Sequence, residues 1–233
     1  ITDISMHREW TASQTDIYLA PTQEIKRHLM KEGTRAEDIL VTGIPVRQQF
    51  LDADCRQKRE RNRTRRVLIM GGGLGLMPDL KELLEKLHSM QGVESVVITG
   101  KNHKMYEEWV NRYEDVEVLG YTENISRYMR GADLVITKAG GITLFEILHS
   151  QVPLFVIHPF LEQEMNNARY AAEKGFAKVI WGRREDYIQE LEKLLSDEKM
   201  MEEMTGNVRR ACKEMIEVSL DEAVGIMEER MTA

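Results

Sequence analysis

The sequence predicts an α/β fold with a doubly wound parallel sheet, Rossmann-like in plan, and three observations lead there. From Arg66 onward, short β-rich runs alternate with stretches whose apolar residues recur at helical spacing. The six runs are joined by five helical crossovers, which parallel neighbours need because a parallel pair requires a covered return. Glycine turns close the first and fourth runs, at the strand ends where such sheets bind ligands.

In chain order, the first piece has two short strands, 17–20 and 39–42, flanking a helix at 22–32 for which Thr22 is the natural N-cap. Two strands and a helix are too few for an independent core. After Gly43, Ile44 and Pro45 the pattern breaks, so a domain boundary is placed at Arg47. The charged stretch CRQKRERNRTRR, 55–66, reads as a solvated connector, with contact to anionic lipid head groups as the alternative. The sheet strands are expected at 67–70, 95–99, 116–119, 134–137, 154–157 and 178–180. Their helices are expected at 78–90, 103–113, 125–130, 143–150 and 164–174. Further helices at 185–195, 199–218 and 221–231 close the chain, and Met200, Met201, Met204, Val208, Ala211 and Met215 make an apolar stripe on the second of these.

The 233 residues suffice for one large or two small domains, and no run of about 18 apolar residues is present to span a bilayer. Cys55 and Cys212 have no metal spacing and the six histidines form no HxxxH cluster, so a reducing cytoplasm is the expected compartment and no metal is expected. The net charge of −7 comes from the part after residue 66, and this acidic body argues against nucleic-acid binding. The opening ITDISMH reads as the exit of a strand, so further sequence is expected before it.

The stretch TKAGGITLFEILHSQVPLFVIHPFLEQEMNNA, 137–168, carries the most chemistry. Gly140 and Gly141 let a helix start without side-chain bulk, and its free N–H groups and dipole, about half a charge, suit a diphosphate. Ile142 and Thr143 lie in that first turn, and Thr143 can add a hydroxyl donor. Glu146 follows, with acceptor sites for two ribose hydroxyls. One strand later Gln163, Glu164 and Asn167 place amide and carboxylate groups that suit the hydroxyls of a hexose, with Gln163 and Asn167 on one helix face; an ordinary polar first turn of a helix is the alternative. At the third strand end, backbone groups around Tyr121 and Thr122 can read a uracil edge, with Tyr121 or Ile125 on its face; a structural tyrosine is the alternative. The GGGLG turn at 71–75, with Gly73 at its centre, admits tight packing or the close approach of a ligand or facing domain. It lacks the third glycine and the ribose acid of a dinucleotide site, which disfavours a redox Rossmann domain. His7 stands just past the supposed first strand exit.

Taken in order, ITDISMHREW, VTGIPVR, GGGLG, LGYTENI, TKAGGITLFEI and QEMNNA resemble the diacylglycerol glycosyltransferases, over about residues 1–195. These are the processive diacylglycerol glucosyltransferases and the monogalactosyldiacylglycerol synthases, relatives of the peptidoglycan enzyme that adds N-acetylglucosamine to lipid I. The resemblance implies a two-domain GT-B fold in which residues 1–46 end the acceptor domain, 47–218 bind the UDP-sugar and 219–233 cross back. It implies Arg47 near the diphosphate, Tyr121 and Thr122 at the uracil, Gly141, Ile142 and Thr143 at the phosphates, Glu146 at the ribose, and Gln163, Glu164 and Asn167 at the sugar. His7 matches the family pattern as an acceptor contact or a proton acceptor. The implied reaction is inverting transfer of a hexose from UDP-glucose or UDP-galactose to diacylglycerol or a glycosyl-diacylglycerol. It takes no cofactor and no metal, and runs at the cytoplasmic face of a membrane that the protein joins peripherally. The lipid acceptor belongs to the missing domain, so this chain is expected to bind UDP without turnover. The unprotected strand edges in 1–46 admit a homodimer. The rival readings are a peptidoglycan transferase, a UDP-sugar epimerase and a nucleotide-sensing interaction module without catalysis.

Overall fold

The computed structural model describes residues 1, 4, 15–51, 64–71, 80–182 and 186–232. His7, Gly73, Cys55 and most of the basic connector lie outside these residues.

Strand β1 (Tyr18–Ala20) pairs in parallel with β2 (Ile39–Val41), and α1 (Gln23–Lys31) connects them. Thr22 caps α1 as its sequence position predicts: its Oγ1 accepts from the backbone N–H of Ile25 at 3.3 Å. Tyr18, Ala20, Ile25, Leu29, Ile39 and Val41 form the buried core of this unit, too small to hold it together alone.

The large sheet contains β3 (Arg65–Met70), β4 (Val93–Ile98), β5 (Val116–Leu119), β6 (Leu134–Thr137), β7 (Leu154–Ile157) and β8 (Ala177–Ile180). All neighbours are parallel, in the order β5-β4-β3-β6-β7-β8. The order reverses between β3 and β6, which makes the carboxyl ends of these strands the topological switch point where such sheets take ligands. The returns are α2 (Leu80–Ser89), α3 (His103–Trp109), α4 (Ile125–Gly131), α5 (Gly141–Ser150) and α6 (Glu162–Glu173). Helices α7 (Tyr187–Ser196), α8 (Glu198–Met215) and α9 (Leu220–Thr232) complete the chain.

Alternation along β3 feeds two cores, because successive side chains leave a strand on opposite faces. Val67 and Ile69 pack with Leu83, Leu87 and Leu191 of α2 and α7, whereas Leu68 and Met70 pack with Met129, Phe145 and Val208 of α4, α5 and α8. The stripe on α8 spans both cores through Met201, Met204, Val208, Ala211 and Met215, but Met200 stands apart from it, 46% exposed. Met200 lies one position before the buried Met201, about 100° round the helix, and so faces out, although spacing included it in the stripe.

The passage between the two units runs from Gly43 to Phe50. Gly43 has φ +75°, and a Cβ there would meet Cε1 of Phe145 at 3.2 Å, so glycine serves both the turn and the close approach to α5. Ile44 and Phe50 are buried in the core of the large unit. The packing therefore changes hands at Gly43 and Ile44, three residues before Arg47.

Candidate functional site

The switch point is built around the start of α5. Gly140 has ordinary extended dihedrals, φ −69° and ψ 147°, and no side chain caps the helix it opens. The first N–H groups of α5 thus begin at a bare turn. A Cβ on Gly140 would find only Thr143 Oγ1, at 3.9 Å, so the fold itself leaves room there. Beyond this turn Leu144, Phe145, Glu146, Ile147 and Leu148 are buried in succession, because α5 lies between the sheet and its neighbouring helices. Glu146 is therefore drawn into the interior with the apolar residues beside it.

Arg47 meets that carboxylate. Its Nη2 and Nε both donate to Oε1 of Glu146, at 2.9 and 3.1 Å, while the Glu146 side chain is 7% exposed and that of Arg47 48%. Burial pushes the Glu146 carboxyl above its ordinary range, and the charge and hydrogen bonds of Arg47 pull it partly back. The structure thus unites two residues that the sequence reading assigned to separate parts of one ligand, diphosphate and ribose.

Past β5, Tyr121 is 67% exposed while Ile125 is buried. Of the two side chains considered for stacking on a base, Tyr121 is the one on the surface. Thr122 Oγ1 accepts from the Asn124 N–H at 3.2 Å and shapes the turn. This turn is also held by Gln49, which the sequence reading passed over. Its Nε2 donates to the Glu123 carbonyl at 2.8 Å, and its Oε1 accepts from the Ser126 hydroxyl at 2.9 Å and from the Ser126 N–H at 3.4 Å.

A cleft of about 390 Å³ opens at the carboxyl ends of β6 and β7, lined among others by Lys138, His158, Phe160 and Glu164. Lys138, inside the TKAGG motif, places its ammonium 5.4 Å from the centre of the Phe160 ring. It adds a cation that the glycine-centred reading of this motif missed. His158 adopts φ +47°, uncommon for a non-glycine residue, and its Nε2 lies 3.0 Å from the Gly182 carbonyl. Glu164 is buried against this cleft and Gln163 is exposed. Asn167 has a different place from the one its spacing suggests. It is fully buried, donating from Nδ2 to the Ala139 carbonyl at 2.7 Å, and its Oδ1 has no partner among the described residues. Shared-face spacing groups it with Gln163, but the depth of α6 against the Ala139–Gly140 turn separates them.

Among the described residues no group of three or more His, Cys, Asp or Glu side chains could hold a metal, and no helix is long and apolar enough to cross a membrane.

Two family models match the chain: "Glycosyltransferase family 28 C-terminal domain" over residues 66–220, and "Monogalactosyldiacylglycerol (MGDG) synthase" over residues 1–46. The processive diacylglycerol beta-glucosyltransferase of Bacillus licheniformis is 35% identical over 222 residues, which are 90% of this chain and 57% of that protein. The chain thus spans little more than half the length of this relative. Among solved structures, MurG of Acinetobacter baumannii has a TM-score of 0.57 at 16% identity, covering 82% of this chain and 57% of that one. The spinosyn rhamnosyltransferase SpnG, complexed with thymidine diphosphate, has a TM-score of 0.58 at 18% identity, covering 72% of this chain and 46% of that one. The common fold is that of the GT-B glycosyltransferases.

Proposed function

The chain belongs to glycosyltransferase family 28, and from that premise we propose that it is the donor-binding part of an inverting transferase that moves a hexose from a UDP-sugar to diacylglycerol or a glycosyl-diacylglycerol. Likeness to the B. licheniformis glucosyltransferase favours glucose over galactose as the hexose. One observation carries the reading: a buried carboxylate, Glu146, stands on the same helix as an uncapped glycine start at the switch point of the sheet. A nucleoside diphosphate needs that pairing, with donors for phosphate and an acceptor for ribose.

In this reading the phosphates lie on the first turn of α5, at Gly140, Gly141, Ile142 and Thr143, and the ribose hydroxyls bond Glu146. Arg47, which the ribose displaces from Glu146, turns to the diphosphate. The uracil lies on the Tyr121–Thr122 turn. Gln163 and Glu164 take the hexose, and Asn167 acts one step back by fixing the Ala139 carbonyl and hence the turn. The acceptor hydroxyl attacks the anomeric carbon, the bond from that carbon to the diphosphate oxygen breaks, and the configuration inverts. The negative charge that grows on the departing UDP is met by the fixed N–H groups of α5 and by the Arg47 guanidinium once it has turned, donors that serve without a metal. The hydroxyl proton passes to a base of the acceptor domain, for which His7 is the candidate. That domain also supplies the lipid site and the peripheral contact with the membrane.

Calorimetric titration with UDP, UDP-glucose, UDP-galactose and UDP-N-acetylglucosamine tests this. Glu146→Ala should weaken all four by a similar factor, and Glu164→Ala should weaken the sugar-bearing ligands more than UDP. A wild-type chain that takes up none of them, or a Glu146→Ala variant that binds as before, refutes the reading.

A further inference from the structure

We propose that Gln49 is a positioning residue for nucleobase recognition, setting the turn that meets the base from the same connector that carries Arg47. The inference rests on the donor-site reading above and adds to it a determinant of base specificity.

The start of α4 shows why such a residue is needed. Asn124 occupies the N-cap position of α4 but makes no side-chain cap bond. The open N–H of Ser126 is served instead by Gln49 Oε1, which also takes the Ser126 hydroxyl, while Gln49 Nε2 holds the Glu123 carbonyl. A carboxamide has one accepting and one donating end, and both are used here in the orientation that the turn requires. Leucine or methionine could fill the space but not perform this exchange.

Gln49 is itself held firmly. It sits in a short 3-10 turn at Gln48–Phe50, where the Phe50 N–H donates to the Arg47 carbonyl at 2.9 Å and the Phe50 ring is 2% exposed in the core. The Arg47 guanidinium lies 5.4 Å from the centre of that ring while bonding Glu146. Four consecutive residues therefore bind α5 through Arg47, the core through Phe50 and the 123–126 turn through Gln49. With Tyr121 standing out in solvent and Thr122 bonding within the turn itself, Gln49 ties the turn to the connector. Uracil and cytosine differ at the ring edge by a carbonyl against an amino group, and backbone groups distinguish the two only when they are held in register. Loosening the turn should cost discrimination as well as affinity.

The test is calorimetric titration of the 233-residue chain with UDP and CDP. The wild type should prefer UDP. Gln49→Ala should weaken UDP about tenfold, the effect of losing about 1.4 kcal/mol of hydrogen bonding, and bring the UDP and CDP constants together. Ser126→Ala, which removes only the hydroxyl, should move both quantities in the same direction by less. Gln49→Glu keeps the shape but, when ionised, turns an acceptor toward the Glu123 carbonyl. It should match Gln49→Ala at neutral pH and recover, relative to wild type at each pH, as acidification protonates the carboxyl and restores the donor. A merely space-filling role predicts no such recovery. If the wild type prefers UDP while Gln49→Ala keeps both its affinity and its preference, this inference fails and the donor-site reading stands. If the wild type binds no UDP, the donor-site reading itself fails.

Discussion

At Glu146 a carboxylate is buried between Leu144 and Phe145 on one side and Ile147 and Leu148 on the other, and among the described residues its hydrogen-bond partner is an arginine that is half in solvent. With one partner so exposed, the pair adds no more than about 1 kcal/mol. Burial outweighs it, so the folded pKa lies above the unfolded one. For an acid this sign means that ionisation costs stability: the cost is full above the folded pKa, shrinks as pH falls through it, and is gone below the unfolded value. Replacing Glu146 by Gln should therefore raise the melting temperature at pH 7. The gain should fade on acidification. UDP affinity should drop about tenfold, since an amide offers one acceptor oxygen to two ribose hydroxyls. Melting curves at several pH values and one titration check both, and a lower melting temperature at pH 7 contradicts the argument.

Two glycines at the ends of packed elements separate the demands of folding from those of binding. Gly43 has positive φ and faces the Phe145 ring, so Gly43→Ala should cost about 1–2 kcal/mol for the left-handed backbone alone, with more for moving the ring. Gly140 has ordinary dihedrals and free space, so Gly140→Ala should melt within about a degree of wild type while weakening UDP if, as proposed, the phosphates lie at the start of α5. Differential scanning fluorimetry with and without UDP distinguishes the two variants; equal melting losses would undo the contrast. At this scale the sequence was informative: hydrophobic period located every sheet strand to within about two residues, because both faces of the sheet are covered and the runs are unbroken. The start of α5 and the acid within it were readable for the same local reason. Gln49 was not, since its partners lie 74 and 77 residues away and only the folded connector brings them together. The depth of Asn167 was not readable, because spacing shows which residues share a helix face but not how deeply that face is set.

Among the described residues, those at the end of the chain hold the first unit. The Val41 carbonyl accepts from the N–H groups of Glu217 and Val218 at 3.0 and 3.2 Å, and Arg230 of α9 donates to Asp38 at 2.8 Å and to the Glu37 carbonyl at 2.6 Å. Hydrogen bonds from Arg35 and Arg230 hold the Asp38 carboxyl below its usual range, so this anchor is present at neutral pH and is lost as acid protonates it. Arg230→Ala should speed hydrogen exchange at the β1 and β2 amides while leaving β3, β4 and β6 protected. Uniform exchange across both sheets would show that the first unit does not depend on α9. The surface ion pairs Lys26–Glu217 at 3.0 Å and Lys174–Glu24 at 3.2 Å add little to this hold, being exposed and screened. Because Arg230 closes onto the small β-pair, a fluorescent label on the final turn of α9 would follow how that pair tilts, and a second one beside Tyr121 would follow UDP capture. Two colours on one molecule could then time the two events against each other.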